Sequence, residues 1–236
     1  MNQNIILYHG SQKIIENPIY GVGNKKNDYG LGFYCTEVEE LSKEWSVLDR
    51  VDGYSNKYEI DTSELKILNL ASKEYNVLHW ITILLENRVF DLKYDITKAG
   101  REYLLKHFSI PYNDYDIIIG YRADDSYFSF AESFLNNTIS VQRLAQALKL
   151  GNLGEQVVLK SEKAFSKLKY ISSTSVSAEM YYPLRKIRNE KARLEFLRDK
   201  VGPFNPDAIY LHDIIRGGID NNDPRLRWIL FKSNNA

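Results

Sequence analysis

The chain has little that would brace it covalently or gather a metal. A single cysteine, Cys35, excludes a disulfide within its 236 residues. The four histidines, at 9, 79, 107 and 212, lack the short spacings of metal ligands, so no metal site is expected. Neither sign of charge prevails: 31 Lys plus Arg balance 31 Asp plus Glu, so no global field announces a polyanionic partner. No run approaches the roughly 18 apolar residues of a membrane span. The opening MNQNIILYHG has neither the basic start nor the apolar stretch of a secretory signal, so a cytoplasmic protein without a membrane partner is expected. G-x-x-x-x-G-K-[ST] and G-x-S-x-G are missing. GVGNKKNDYG has no third glycine in register and no helix opening behind it, so a phosphate-cradling loop is excluded there.

Short runs rich in β-branched and aromatic residues are present, bounded by turn formers or charges. They predict strands over Ile5–Tyr8, Gly32–Thr36, Lys57–Ile60, Lys66–Leu70, Asp116–Tyr121, Gln156–Lys160 and Leu168–Ser172. Between Val77 and Phe108 the spacing turns helical: VLHWITILLENR is apolar on nearly every face, and ITKAGREYLLKHF carries one apolar stripe. His79 falls inside the first of these helices and reads as structural. Helical spacing returns in SYFSFAESFLNN and in ISVQRLAQALKLG, where Gly151 is a suitable stop. LRKIRNEKARLEFLRDK sets Leu184, Ile187, Leu194 and Leu197 in a narrow seam among charges that read as a solvated face, or more sharply as a face for a partner. Early strands, a central helical block and late strands give an α+β class with grouped helices in one domain over 1–236.

Three segments place polar or aromatic groups at strand edges: YHGS at 8–11, DYGLGFYCT at 28–36 and LGEQVVLKS at 153–161. Strand alternation turns Cys35 away from Tyr34, which argues against a cysteine nucleophile. His9 ends an apolar strand, where an imidazole either meets water or serves a site. Gly10 makes a turn or lets a ligand approach the main chain. In GYRADDSY, Arg122, Asp124 and Asp125 follow an apolar strand. The two acids read either as negative charge at a helix start or as a carboxylate supplied to a site.

His-Gly in YHGS, GLGFY followed by Thr36, and an acidic or amide residue opening a later strand together resemble the diphtheria-toxin and poly(ADP-ribose)-polymerase type of ADP-ribosyltransferase. More closely, YHGS, DYGLGFYCT, GYRADDSYFSFA and EQVVLKSEKAF resemble the bacterial domain-of-unknown-function family 3990, over about residues 5–172. The resemblance implies a split mixed β-sheet core with a central helical insertion and a helical C-terminal extension over 182–236. It implies NAD as co-substrate, a protein or nucleic-acid acceptor, and a toxin-like setting with a small antitoxin or immunity protein as partner. By the same resemblance His9 bonds a ribose hydroxyl, the Gly10 main chain holds the nicotinamide carboxamide, and Tyr34 stacks on the nicotinamide ring. Ser11, Gly32 and Thr36 lie nearby, and Arg122, Asp124 or Asp125 serve the pyrophosphate or replace a missing charge. The third motif position falls on Gln156 or Glu155, with the V-V-L that follows favouring Gln156; one register step exchanges the two. A glutamine there keeps a hydrogen bond without charge, which points to single ADP-ribose transfer or NAD hydrolysis rather than polymer formation. It also leaves a catalytically silent NAD- or nucleotide-binding module as the alternative.

Overall fold

The computed structural model describes residues 4–123, 125–150, 154–199 and 205–226. Seven strands form two sheets. The first has the order β1 (Asn4–Ser11), β3 (Gly53–Asp61), β7 (Leu168–Val176), all antiparallel. The second has the order β2 (Phe33–Cys35), β6 (Glu155–Leu159), β5 (Ile117–Tyr121), β4 (Ile67–Asn69), with only the β4–β5 pair parallel. Each of the seven expected strands is present, with edges shifted by a few residues. EQVVL takes an inner position as β6, where Gln156 to Leu159 are all buried.

One bridge joins the sheets. Tyr8 N–H donates to Thr36 O at 2.8 Å and Thr36 N–H donates to Tyr8 O at 2.9 Å. On one side of this bent surface Leu7 and Ile60 of the first sheet pack against Cys35, Ile117, Val157 and Leu159 of the second. On the other side of the second sheet, Ile118 and Val158 meet the larger core. That core is built on α2 (Val77–Asn87), α3 (Asp95–His107), α4 (Asp125–Leu135) and α5 (Val141–Ala147). Helix α2 fits because nine of its eleven residues are buried. Its start is capped reciprocally: Asn76 Oδ1 accepts from Leu78 N–H, and Asn76 N–H donates to His79 Nδ1 at 3.0 Å. His79 is therefore structural, as its sequence context indicates.

The C-terminal part packs on the same core. In α7 (Ala178–Asp199) Ala192 is buried and Phe196 stacks on Phe130 with centroids 4.1 Å apart, while Leu211 and Ile214 of α8 (Leu211–Arg216) are fully enclosed. The sequence did not reveal α1 (Glu39–Ser46), α6 (Glu162–Ser166) or α8, each eight residues or fewer and too short for an apolar period to show. Gly151, the expected helix stop, lies outside the described residues. Among the described residues no helix is long and apolar enough to cross a membrane, and no group of three His, Cys, Asp or Glu could hold a metal ion.

Candidate functional site

Continuation of the β1–β2 ladder past Tyr8 and Thr36 would set Gly10 opposite Tyr34. The sheets separate at that point instead. The carbonyl of Tyr34 is taken by the His9 side chain, with Nδ1 at 2.7 Å. A carbonyl only accepts, so Nδ1 carries the proton and Nε2 is left as an acceptor. Burial lowers the pKa of His9, which keeps the ring neutral, and the ring stacks on Phe33 with centroids 4.3 Å apart. The imidazole is thus a wedge at the parting of the two sheets. Alternation along β1 directs the N–H and C=O of Gly10 the same way as those of Tyr8, toward the edge that β2 has left.

Helix α1 explains why residue 10 is glycine. A Cβ there would stand 2.2 Å from Ser42 O and 2.8 Å from Ser46 N. The missing side chain admits the helix, and what Gly10 leaves to a ligand is its main-chain edge. Gly32 is likewise set by packing, since a Cβ would meet Val158 Cγ1 at 2.7 Å. The hydroxyl of Thr36 accepts from Val38 N–H at 3.2 Å, and that of Ser11 from Lys13 N–H at 3.1 Å, so both are engaged in local turns.

Register settles which side of the sheet each motif residue occupies. Tyr34 pairs with Val158 and Cys35 with Val157, so Tyr34, Val158 and Gln156 share the helix-covered face. Glu155 lies on the opposite face with Val157 and Cys35. It borders a separate cavity of about 330 Å³ together with Thr36, Glu37, Tyr121, Tyr127 and Lys149. His9 and the Tyr34 ring also lie on opposite faces, joined through the Tyr34 carbonyl. The expected four-residue cluster therefore divides into Tyr34 with Gln156 on one face and His9 and Glu155 on the other.

Tyr34 is held from above by the 28–31 loop: its hydroxyl donates to Gly30 O at 2.5 Å and accepts from Tyr29 N–H at 3.1 Å. Burial raises the phenol pKa, so it stays neutral. Asp28, which sequence reasoning quoted within its motif without assigning it a role, is the centre of this face and only 5% exposed. Arg88 donates to its Oδ1 at 3.0 Å; Ala123 N–H and Gln156 Nε2 donate to its Oδ2 at 2.9 and 3.3 Å. Burial pushes the Asp28 carboxyl upward, against the pull of the Ala123 amide, Arg88, Arg122 and Gln156.

A carboxylate cannot donate, so the Gln156 amide is fixed with nitrogen toward Asp28 and Oε1 pointing away. That Oε1 is buried and has no hydrogen-bond partner among the described residues. An orphan acceptor of this kind costs about 1–3 kcal/mol unless a ligand or water satisfies it. Lys160 Nζ completes the clamp by donating to Tyr29 O at 2.5 Å and Leu31 O at 2.7 Å, and burial lowers its pKa to about 8.

Arg122 reaches the same region with its guanidinium 4.7 Å from the ring centroid of Trp45, a stacking cation–π contact. Trp45 sits on α1, next in chain to the Ser46 that crowds Gly10, and is half-buried. It went unnoticed because α1 did. The signal was present as Leu41 and Trp45 four residues apart. Asp124 and the side chain of Asp125 lie outside the described residues, so their expected roles have no structural counterpart.

The face that assembles Tyr34, Gln156 and Asp28 is made entirely of segments that one family shares. The family described as Protein of unknown function (DUF3990) matches residues 5–170. No curated protein and no solved structure matches the chain. With more than half its length covered by that match, the chain belongs to the DUF3990 family.

Proposed function

We propose that the protein is an NAD-dependent mono-ADP-ribosyltransferase whose reacting centre is the helix-covered face at the parting of β1 and β2. The observation that carries this reading is the Gln156 amide. It is buried, oriented by Asp28, and presents an Oε1 without a hydrogen-bond partner among the described residues on the same face as Tyr34.

In the reaction the bond between ribose C1′ and the nicotinamide nitrogen breaks, and its electron pair leaves with nicotinamide, neutralising the pyridinium. Positive charge develops on the sugar before a nucleophilic acceptor bonds C1′ and gives up a proton. Gln156 Oε1 accepts from a hydroxyl of that ribose and orients it. Asp28, one hydrogen bond behind Gln156, provides the negative charge that glutamine lacks, and a buried charge acts on a developing cation more strongly than one in water. The Gly10 edge offers one donor and one acceptor, which is the pattern of a carboxamide. Trp45 and Tyr34 are the aromatic surfaces nearby, and Arg122, stacked on Trp45, supplies planar donors for phosphate oxygens. His9 Nε2, on the far side of the parting, is the acceptor for a hydroxyl of the second ribose.

Nicotinamide release from NAD by the purified full chain tests this. Gln156→Leu, which keeps the volume and removes the acceptor, is expected to cut release by about 100-fold or more with a nearly unchanged melting temperature. Glu155→Gln, on the other face, is expected to stay within about threefold of the parent. Full turnover in Gln156→Leu, or its loss in Glu155→Gln alone, overturns the assignment. A second reading, the silent NAD- or nucleotide-binding module, is favoured by the neutral side chain at 156. It predicts that NAD raises the melting temperature without any nicotinamide appearing.

A further inference from the structure

The outward side of α7 carries a stripe of large apolar groups. Met180, Leu184, Ile187, Leu194 and Leu197 are each between 45% and 63% exposed. The inward side is already committed: Ala192 and Phe196 lie in the core, and Arg188 grips Glu44 through Nε at 2.9 Å and Nη2 at 2.6 Å. Positions 180, 184, 187 and 194 follow the alternating steps of four and three by which one helix packs along another. The same periodicity passes through Lys191 and Arg198, one and two heptads after Leu184, and both are exposed. Among the described residues Lys191 has one distant ion-pair partner, Glu195 at 3.9 Å.

These two cations choose the occupant. A second copy of the chain would bring Lys191 and Arg198 against each other or against apolar side chains, desolvating two cations of which Lys191 has only the long 3.9 Å contact with Glu195 to offset it. A helix with apolar residues facing the stripe and carboxylates facing the two cations removes that penalty. We propose that α7 docks an amphipathic helix of a partner protein, acidic at the positions opposite Lys191 and Arg198.

Two synthetic helical peptides of about three heptads, identical except for Glu or Lys at the positions facing Lys191 and Arg198, test it by fluorescence anisotropy with the full chain. The Glu peptide is expected to bind at least about tenfold tighter, a difference of about 1.4 kcal/mol. The Lys191→Glu, Arg198→Glu double variant should reverse the preference, and Ile187→Asp should weaken both peptides while leaving the urea midpoint unchanged, since its side chain is exposed. Equal binding of the two peptides, or binding of neither, overturns the proposal. So does a concentration-dependent dimer in sedimentation that Ile187→Asp abolishes, which assigns the stripe to a second copy.

Discussion

The two faces of the four-stranded sheet are built from the same eight residues of β2 and β6, yet they have opposite character. Toward the first sheet stand Cys35, Val157 and Leu159, dry and without a hydrogen bond between side chains. Toward the helices stand Tyr34, Gln156 and, just past the strand, Lys160, joined to Asp28, Arg88 and the 28–31 loop by a chain of polar contacts. The period of two along a strand sorts neighbours in sequence to opposite sides. The difference teaches that the Cys35, Val157 and Leu159 side is held by buried area and the Tyr34, Gln156 and Lys160 side by paired polar groups.

Removing Asp28 should break this contrast most. Asp28→Ala leaves Arg88, the Ala123 amide and Gln156 Nε2 without their acceptor, and a buried ion pair that loses one partner costs about 3–5 kcal/mol. Urea unfolding is expected to show that loss, with an unchanged slope. A cost below about 1 kcal/mol would mean that water already serves these donors.

The helix-covered side should also feel acid. Burial lowers the pKa of His79 to about 4 from its usual 6.5, and the residue is 3% exposed. Between those values the unfolded chain binds the proton and the folded one does not. Stability is therefore full above pH 6.5 and falls as pH drops toward 4, by about 3 kcal/mol. His79→Gln should flatten the profile measured by thermal melts from pH 7 to 4. An unaltered slope would assign the acid sensitivity to another group.

Tyr34→Phe makes the smallest change and sharpens the comparison furthest. It deletes one hydroxyl on the polar face and leaves the ring in place. The hydroxyl serves Gly30 O and Tyr29 N–H, so about 1–2 kcal/mol should be lost. Cys35→Ala, one residue away on the dry face, loses only its contacts with neighbouring apolar groups, for which about 1 kcal/mol is expected. Equal insensitivity of both to a change from low to high salt would fit, since neither group is charged.

Much of the fold was legible because apolar runs bounded by turn residues report strands directly: all seven are where the sequence sets them, and α2, α3, α4 and α5 follow their periods. What the sequence could not convey was which face a motif residue takes. Glu155 and Gln156 are adjacent letters, and only the pairing of Cys35 with Val157 decides that Gln156 joins Tyr34. Nor does Asp28 announce itself, because its partners Arg88, Ala123 and Gln156 stand 60, 95 and 128 positions away. The packing demand on Gly10 was hidden for a related reason: its close neighbour is a helix some thirty residues downstream that eight residues of mixed polarity do not advertise.

The strand that carries Gln156 is also the one that lies between β2 and β5, and it is synthesised long after both. Until residue 159 has been made, β2 has no neighbour in its own sheet and Gln156 has no strand to sit on. β7 closes the other sheet only some ten residues later. Translation thus withholds the completed second sheet until about two thirds of the polypeptide has been made, so a truncated product ending before β6 should lack the proposed activity however well its helices fold.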